Sequence, residues 1–135
     1  MKFCPAYIAG LIDGEGCIDT HCASKTPHYT PRLRICLSGS SGLSLLSSLS
    51  QYLDCGSINT RKLGGNRKNH HEFTVTRKSD LQRVLLTIRD HLVMKKEQAD
   101  FALSWIERSL YESMSLDSQL ECREHLKELK SEANR

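Results

Sequence analysis

Residues 8–16 read Ile8-Ala9-Gly10-Leu11-Ile12-Asp13-Gly14-Glu15-Gly16. The stretch is apolar and small up to Ile12, then turns into acids set between glycines. Pro5 suits the first turn of a helix, where its missing N–H would have no partner anyway. Tyr7, Ile8, Leu11 and Ile12 then give an apolar surface at i, i+1, i+4 and i+5. Gly14 and Gly16 are expected to end the helix. Ala9, Gly10 and Gly14 lack bulk and would let a second backbone come close. Glu15 falls at the negative end of the helix macrodipole, where a carboxylate is unfavourable and a bound cation would relieve the misfit. A buried helix that ends in an acid is the strongest constraint this sequence sets.

The 135 residues suit one domain, 1–135, with a modest core. No apolar run is long enough to span a bilayer and no secretory signal is seen. The expectation is a soluble intracellular protein of a bacterial or archaeal cytoplasm, or of an organelle matrix or stroma. Six cysteines lie scattered without a Cys-x-x-Cys pair, so free, buried thiols are expected rather than a disulfide framework. His21-Cys22 lacks the partner spacing of a zinc module. The net charge of +3 is unevenly spread. From Cys17 to Lys78 nine Lys/Arg face three Asp/Glu, and from Leu92 to Arg135 seven face nine. A basic middle and a mildly acidic tail point to one surface turned toward a polyanion.

The pattern predicts α-β-β-α-β-β-α followed by two more helices. A first strand is expected from Cys17 to about Lys25, and a loop at 26–31. Arg32 to Ser38 alternates, with Leu33, Ile35 and Leu37 on one face and Arg32, Arg34, Cys36 and Ser38 on the other. Ser38-Gly39-Ser40-Ser41 opens a helix through Leu43, Leu46, Leu49 and Leu53. Gly56 to Lys62 reads as a third strand, Gly64-Gly65-Asn66 as a turn, and His70 to Arg77 as a fourth strand. Ser79-Asp80 is expected to cap a helix that buries Leu81, Val84, Leu85 and Ile88. A helix from about Lys95 carries Ala99, Ala102, Leu103, Ile106 and Leu110. A last one runs from about Leu116 to Lys130, with solvated charges.

The nine residues at 8–16 closely resemble the signature of the LAGLIDADG homing endonucleases, differing from it by similar residues at three positions. Leu92-Val93-Met94-Lys95-Lys96-Glu97-Gln98-Ala99-Asp100 is similar to the loop-to-helix segment of single-motif members, where a lysine near the active site precedes Gln-Ala-Asn/Asp. The resemblance covers roughly residues 5–113. It implies an α+β, αββαββα fold with a curved four-stranded antiparallel sheet in the DNA major groove, plus C-terminal helices, one at about 116–133.

It also implies an intron-encoded endonuclease that cuts both strands and leaves short 3′ overhangs, promoting homing of a group I intron. Glu15 is the expected catalytic acid and ligand of Mg2+ or Mn2+, with the Gly14 carbonyl beside it. Lys95 would stabilise charge on the phosphate or orient water, with Lys96 the alternative one position on. One carboxylate is too few for a site, so a single motif implies a homodimer joined at Ile8, Ala9, Gly10, Leu11 and Asp13. Asp13 is expected to be structural. Members often carry a polar residue at the end of the second strand. Here the region is Ser38-Gly39-Ser40, so Ser38, Ser40 or water would take that part.

Strand parity counted from Glu15 puts Asp19, His21, Ala23 and Lys25 on the expected DNA face. Arg32, Arg34, Cys36, Ser38, Asn59, Arg61, His70, Glu72, Thr74 and Thr76 join them, with Ser40 beside Ser38. Arg suits guanine and Asn adenine. Lys62, Arg67, Lys68, Arg77 and Lys78 are expected on phosphates, which position without specifying. A two-fold dimer implies a pseudo-palindromic double-stranded target of roughly 20 bp. Two other readings use the same scaffold: a maturase binding its host intron RNA, and a DNA-binding regulator without activity.

Overall fold

The computed structural model describes residues 2–22, 25 and 27–134. Helix α1 (Pro5–Glu15) leads into strands β1 (Gly16–Cys22) and β2 (Tyr29–Ser38). Helix α2 (Gly39–Leu53), strands β3 (Ser57–Arg61) and β4 (His70–Val75) and helix α3 (Lys78–Ile88) follow. A 3-10 turn (Arg89–His91) precedes α4 (Lys96–Tyr111) and α5 (Leu116–Ala133). The α+β class and the expected element order both hold.

The four strands form one antiparallel sheet in the order β1-β2-β4-β3. Registers fix its two faces. Ile18 pairs with Leu33 and Leu33 with Val75, while Ile35 pairs with Phe73 and Phe73 with Ile58. Ile18, Leu33, Ile35 and Phe73 are fully buried. They pack under the helices against Ile8 and Ile12 of α1, Leu46 and Leu49 of α2, Leu81, Leu85 and Ile88 of α3, and Ile106 of α4. The opposite parity joins Asp19 to Arg32, Cys17 to Arg34, Arg34 to Thr74, Cys36 to Glu72 and Ser38 to His70. Period-two alternation in β2 therefore divides a core face from a polar face across the whole sheet.

One glycine locks α2 to this sheet. After α2 the chain turns through Asp54 in the left-handed region and Gly56 at φ 87°. A Cβ on Gly56 would lie 2.4 Å from the Phe73 ring. Both the backbone angle and the close approach require glycine there.

Several boundaries differ from expectation. Gly14 lies inside α1, and Gly16 alone caps it through its N–H to the Ile12 carbonyl. β1 stops at Cys22, so Lys25 lies exposed in the β1–β2 connection rather than on a strand; Ala23 falls outside the described residues. Gly56 and Lys62 flank β3, and Thr76 and Arg77 follow β4. Helix α3 begins at Lys78 with Arg77 at its N-cap, so Ser79 and Asp80 sit in the first turn instead of capping it. Leu43 and Leu110, expected on apolar helix faces, are exposed at helix flanks. All six cysteines are free, but Cys122 alone is buried. Among the described residues no helix is long and apolar enough to cross a membrane.

Candidate active site and nucleic-acid face

The C-terminal end of α1 is built by a long-range clasp. The Asp13 carboxylate accepts from the Val93 amide at 2.8 Å and from the Lys95 amide at 3.0 Å. The Lys95 ammonium donates back to the Asp13 carbonyl at 2.7 Å. Helix ends leave carbonyls unpaired and carry partial negative charge. Lys95 answers both needs, and Asp13 caps the entry to α4, whose N-cap is Lys95 itself. Of the two adjacent lysines, Lys95 is half-buried and tied to α1, while Lys96 is exposed.

Glu15 stands two residues further on, exposed, and enters no ion pair among the described residues. Helix α1 has no basic residue in its last turn. A free carboxylate beside a helix-end carbonyl is a set of hard oxygen donors, which suits Mg2+ or Mn2+. No group of three or more His, Cys, Asp or Glu gathers among the described residues, so His21-Cys22 finds no partners.

The two sides of α1 differ. Ile8, Ala9 and Ile12 are fully buried in the chain's own core. This removes Ile8 and Ala9 from the expected contact with a second copy, because a side chain packed under its own sheet cannot meet a partner. The outward side carries Tyr7, Gly10, half-buried Leu11 and Gly14. A Cβ on Gly10 or Gly14 would meet nothing within 4 Å. Asp13 holds Val93 beside this surface, and Val93 is 83% exposed.

At the end of β2, Ser38 Oγ lies 3.3 Å from His70 Nδ1. Gly39 has φ 79° and donates to the Asn69 carbonyl at 3.0 Å. That angle disfavours a side chain, so position 39 supplies none and the polar groups nearby are Ser38 and exposed Ser40.

The polar sheet face holds a charged network that strand parity alone did not reveal. Arg32 forks onto Asp19 through Nε at 2.9 Å and Nη2 at 3.1 Å. The same carboxylate takes Arg34 Nη2 at 2.7 Å, and Glu72 takes Arg34 Nη1 at 3.4 Å. Arg34 is thus held from β1 on one side and from β4 on the other. Burial acts to lower its pKa, but Asp19, Cys17 and Glu72 outweigh it and raise it above the ordinary arginine value. Burial, then Glu72, pushes the Cys36 thiol up. Asn59 and Arg61 lie on this face by register, opposite Glu72 and His70. His21 is half-buried, and Lys62, Arg67, Lys68, Thr76 and Arg77 are exposed around the rim. His71 has the other parity, is buried, and meets Thr60 Oγ1 at 2.9 Å.

Comparison with known proteins gives the family. The sequence profile described as LAGLIDADG endonuclease matches residues 8–107. No curated protein matches the sequence. Among solved structures, the homing endonuclease I-CvuI, crystallised with its target in the presence of calcium, is 23% identical with a TM-score of 0.76. That match covers 93% of this chain and 80% of the other. The homing endonuclease I-TnaI is 24% identical with a TM-score of 0.68, over 98% and 99% of the two chains. The archaeal intron-encoded homing endonuclease I-Vdi141I, in complex with DNA, is 16% identical with a TM-score of 0.72, over 93% and 82%. These structures share the fold. With the profile running from within α1 to within α4, the chain belongs to the LAGLIDADG endonuclease family.

Proposed function

We propose that the chain is a site-specific DNA endonuclease that works as a homodimer and makes a divalent-metal-dependent double-strand break in a long pseudo-palindromic target. The observation that carries this reading is the end of α1, where an exposed, unpaired Glu15 follows the Asp13–Lys95 clasp on a helix whose outer side is open at Gly10 and Gly14.

Each protomer brings one carboxylate. Pairing two α1 helices along Tyr7, Gly10, Leu11 and Gly14 sets two Glu15 side chains side by side, one for each DNA strand. Glu15 and the Gly14 carbonyl would hold Mg2+ or Mn2+, which would supply charge neutralisation at the phosphate and a more acidic water. Lys95 presents a fixed ammonium to the developing charge on the phosphate. Ser38 and Ser40 offer hydroxyls for ordering water at the end of β2. Two-fold pairing gives a target of roughly 20 bp with related half-sites. A break with short 3′ overhangs at an intron insertion point would promote intron homing.

The polar sheet face reads the bases. Asp19 occupies the side-on fork of Arg32, which turns that guanidinium into a brace. Arg34 meets Asp19 and Glu72 through its two terminal nitrogens and stays part-exposed on this face. A guanidinium presented there suits the O6 and N7 acceptors of guanine. Asn59, Arg61, His70 and Thr74 extend the face, while Lys25, Lys62, Arg67, Lys68 and Arg77 lie where phosphates pass.

The test is incubation of purified protein with Mg2+ and a library of DNA fragments carrying intron-lacking genes. The reading expects one double-strand cut at a pseudo-palindromic site. Tight specific binding without a cut, together with assisted splicing of an intron RNA, would replace it with a maturase.

A further inference from the structure

Helix α5 begins at Leu116, beyond the family match at 8–107, and the reading above gives it no part. Its charges are segregated. At roughly 100° per residue, Arg123, Lys127 and Lys130 fall within about 60° of one another. Asp117, Glu121, Glu124 and Glu128 form a second stripe centred about 120° away. The core-facing side, Gln119, Cys122 and Leu126, lies on the other flank of the basic stripe.

The basic flank is aimed along edge strand β1. At one end the Tyr29 amide donates to Gln119 Oε1 at 2.8 Å, and Arg123 lies 5.3 Å over the Tyr29 ring. At the other end Lys130 Nζ lies 2.7 Å from Cys17 Sγ. Tyr29 pairs with Cys22, so α5 follows β1 from its far end back toward Gly16 and Glu15. Between them runs a groove of about 240 Å³ lined by Ile18, Asp19, Thr20, Arg123, Lys127 and Lys130 among others. Asp19 is already shared by two arginines. Lys127 has an exposed pairing with Glu124 at 3.7 Å, which is easily exchanged. Cys17 sits opposite Arg34 in the sheet, so Lys130 reaches the same face as the proposed base reader.

We propose that the Arg123–Lys127–Lys130 flank of α5 is a phosphate rail that extends the DNA surface beyond the sheet edge toward the catalytic end. Arg123 to Lys130 spans about 10 Å of helix, enough to follow successive phosphates of one strand. The rail holds DNA without reading sequence. This rests on the DNA-endonuclease reading of the sheet face.

The test uses the full chain and a labelled duplex of about 30 bp, titrated by anisotropy between about 50 and 200 mM NaCl. Lys127→Gln/Lys130→Gln is compared with Arg83→Gln/Arg108→Gln, which removes the same charge from α3 and α4. Arg123 is left intact because it packs on Tyr29. The rail predicts that the α5 pair flattens the salt slope by about 1.8 per chain bound. Across that salt range wild type would then lose about tenfold more affinity per chain than the variant. The Arg83/Arg108 pair would leave the slope near wild type. Equal effects of the two pairs, or no effect of the α5 pair, would overturn the rail while leaving the endonuclease reading intact. Tighter, Lys127/Lys130-dependent binding to an RNA duplex would overturn DNA as the occupant. Absence of salt-dependent duplex binding by wild type would overturn both.

Discussion

Asp13 ties two distant segments of the sequence at one point, and much of the proposed chemistry depends on it. Its two carboxylate oxygens accept the Val93 and Lys95 amides, and its carbonyl receives the Lys95 ammonium. In Asp13→Asn one oxygen becomes an NH2 that faces an N–H, which removes one hydrogen bond at a cost of about 1 kcal/mol. The expected result is a lower Tm together with slower single-turnover cleavage, since Lys95 loses its seat. Lys95→Ala is expected to slow cleavage by about 10²–10³-fold while DNA affinity changes little. An unchanged rate would remove Lys95 from the catalytic step. The end of α1 at Gly16 and a helix starting near Lys95 were legible in the sequence because their signals are short and local. The clasp was not, because its partners are 80 and 82 residues apart and nothing in either segment announces the other.

At the scale of elements, the sheet divides labour between a packed face and a charged one. Phe73 is fully buried between β2 and β3 and touches the turn at Gly56. Phe73→Ala should cost about 3–5 kcal/mol, measured by denaturant unfolding. On the other face, Arg34→Ala should relax discrimination at one guanine of each half-site by about 1–3 kcal/mol. Asp19→Asn separates positioning from structure. It releases two arginines, so affinity should rise and base preference weaken together; a fall in both would mark Asp19 as structural only. Alternation in β2 made the two faces readable, because Leu33, Ile35 and the arginines obey a strict period of two. Register was not readable. Pairing of Asp19 with Arg32 depends on the β1–β2 connection, whose length and turn carry no clear signal. The inward side of α1 was equally ambiguous, since a helix apolar all round does not say whether Ile8 and Ala9 or Tyr7 and Leu11 face the core.

On the proposed reading the whole molecule is one half of a symmetric machine. The chain has one Glu15, one clasp and one sheet, and the outward side of α1 has room at Gly10 and Gly14 for another backbone. A Cβ at Gly10 meets nothing within 4 Å beyond its own helix turn, so Gly10→Leu should stay folded. It should also sediment as a monomer and lose cleavage, because the added side chain holds the two helices apart. A dimer that cuts normally would place the interface elsewhere. Composition forecast a basic polyanion surface, but missed that α5 sorts its charges into stripes, a consequence of which side packs on β1 and α4.

The most direct measurement is double-strand cleavage of the selected target in Mg2+ by wild type and Glu15→Gln, with binding followed in parallel. The account predicts a unique cut by wild type, and full-length DNA still bound but uncut by Glu15→Gln. Cleavage retained by Glu15→Gln would contradict the assignment of the acid at the end of α1 and the metal site built on it.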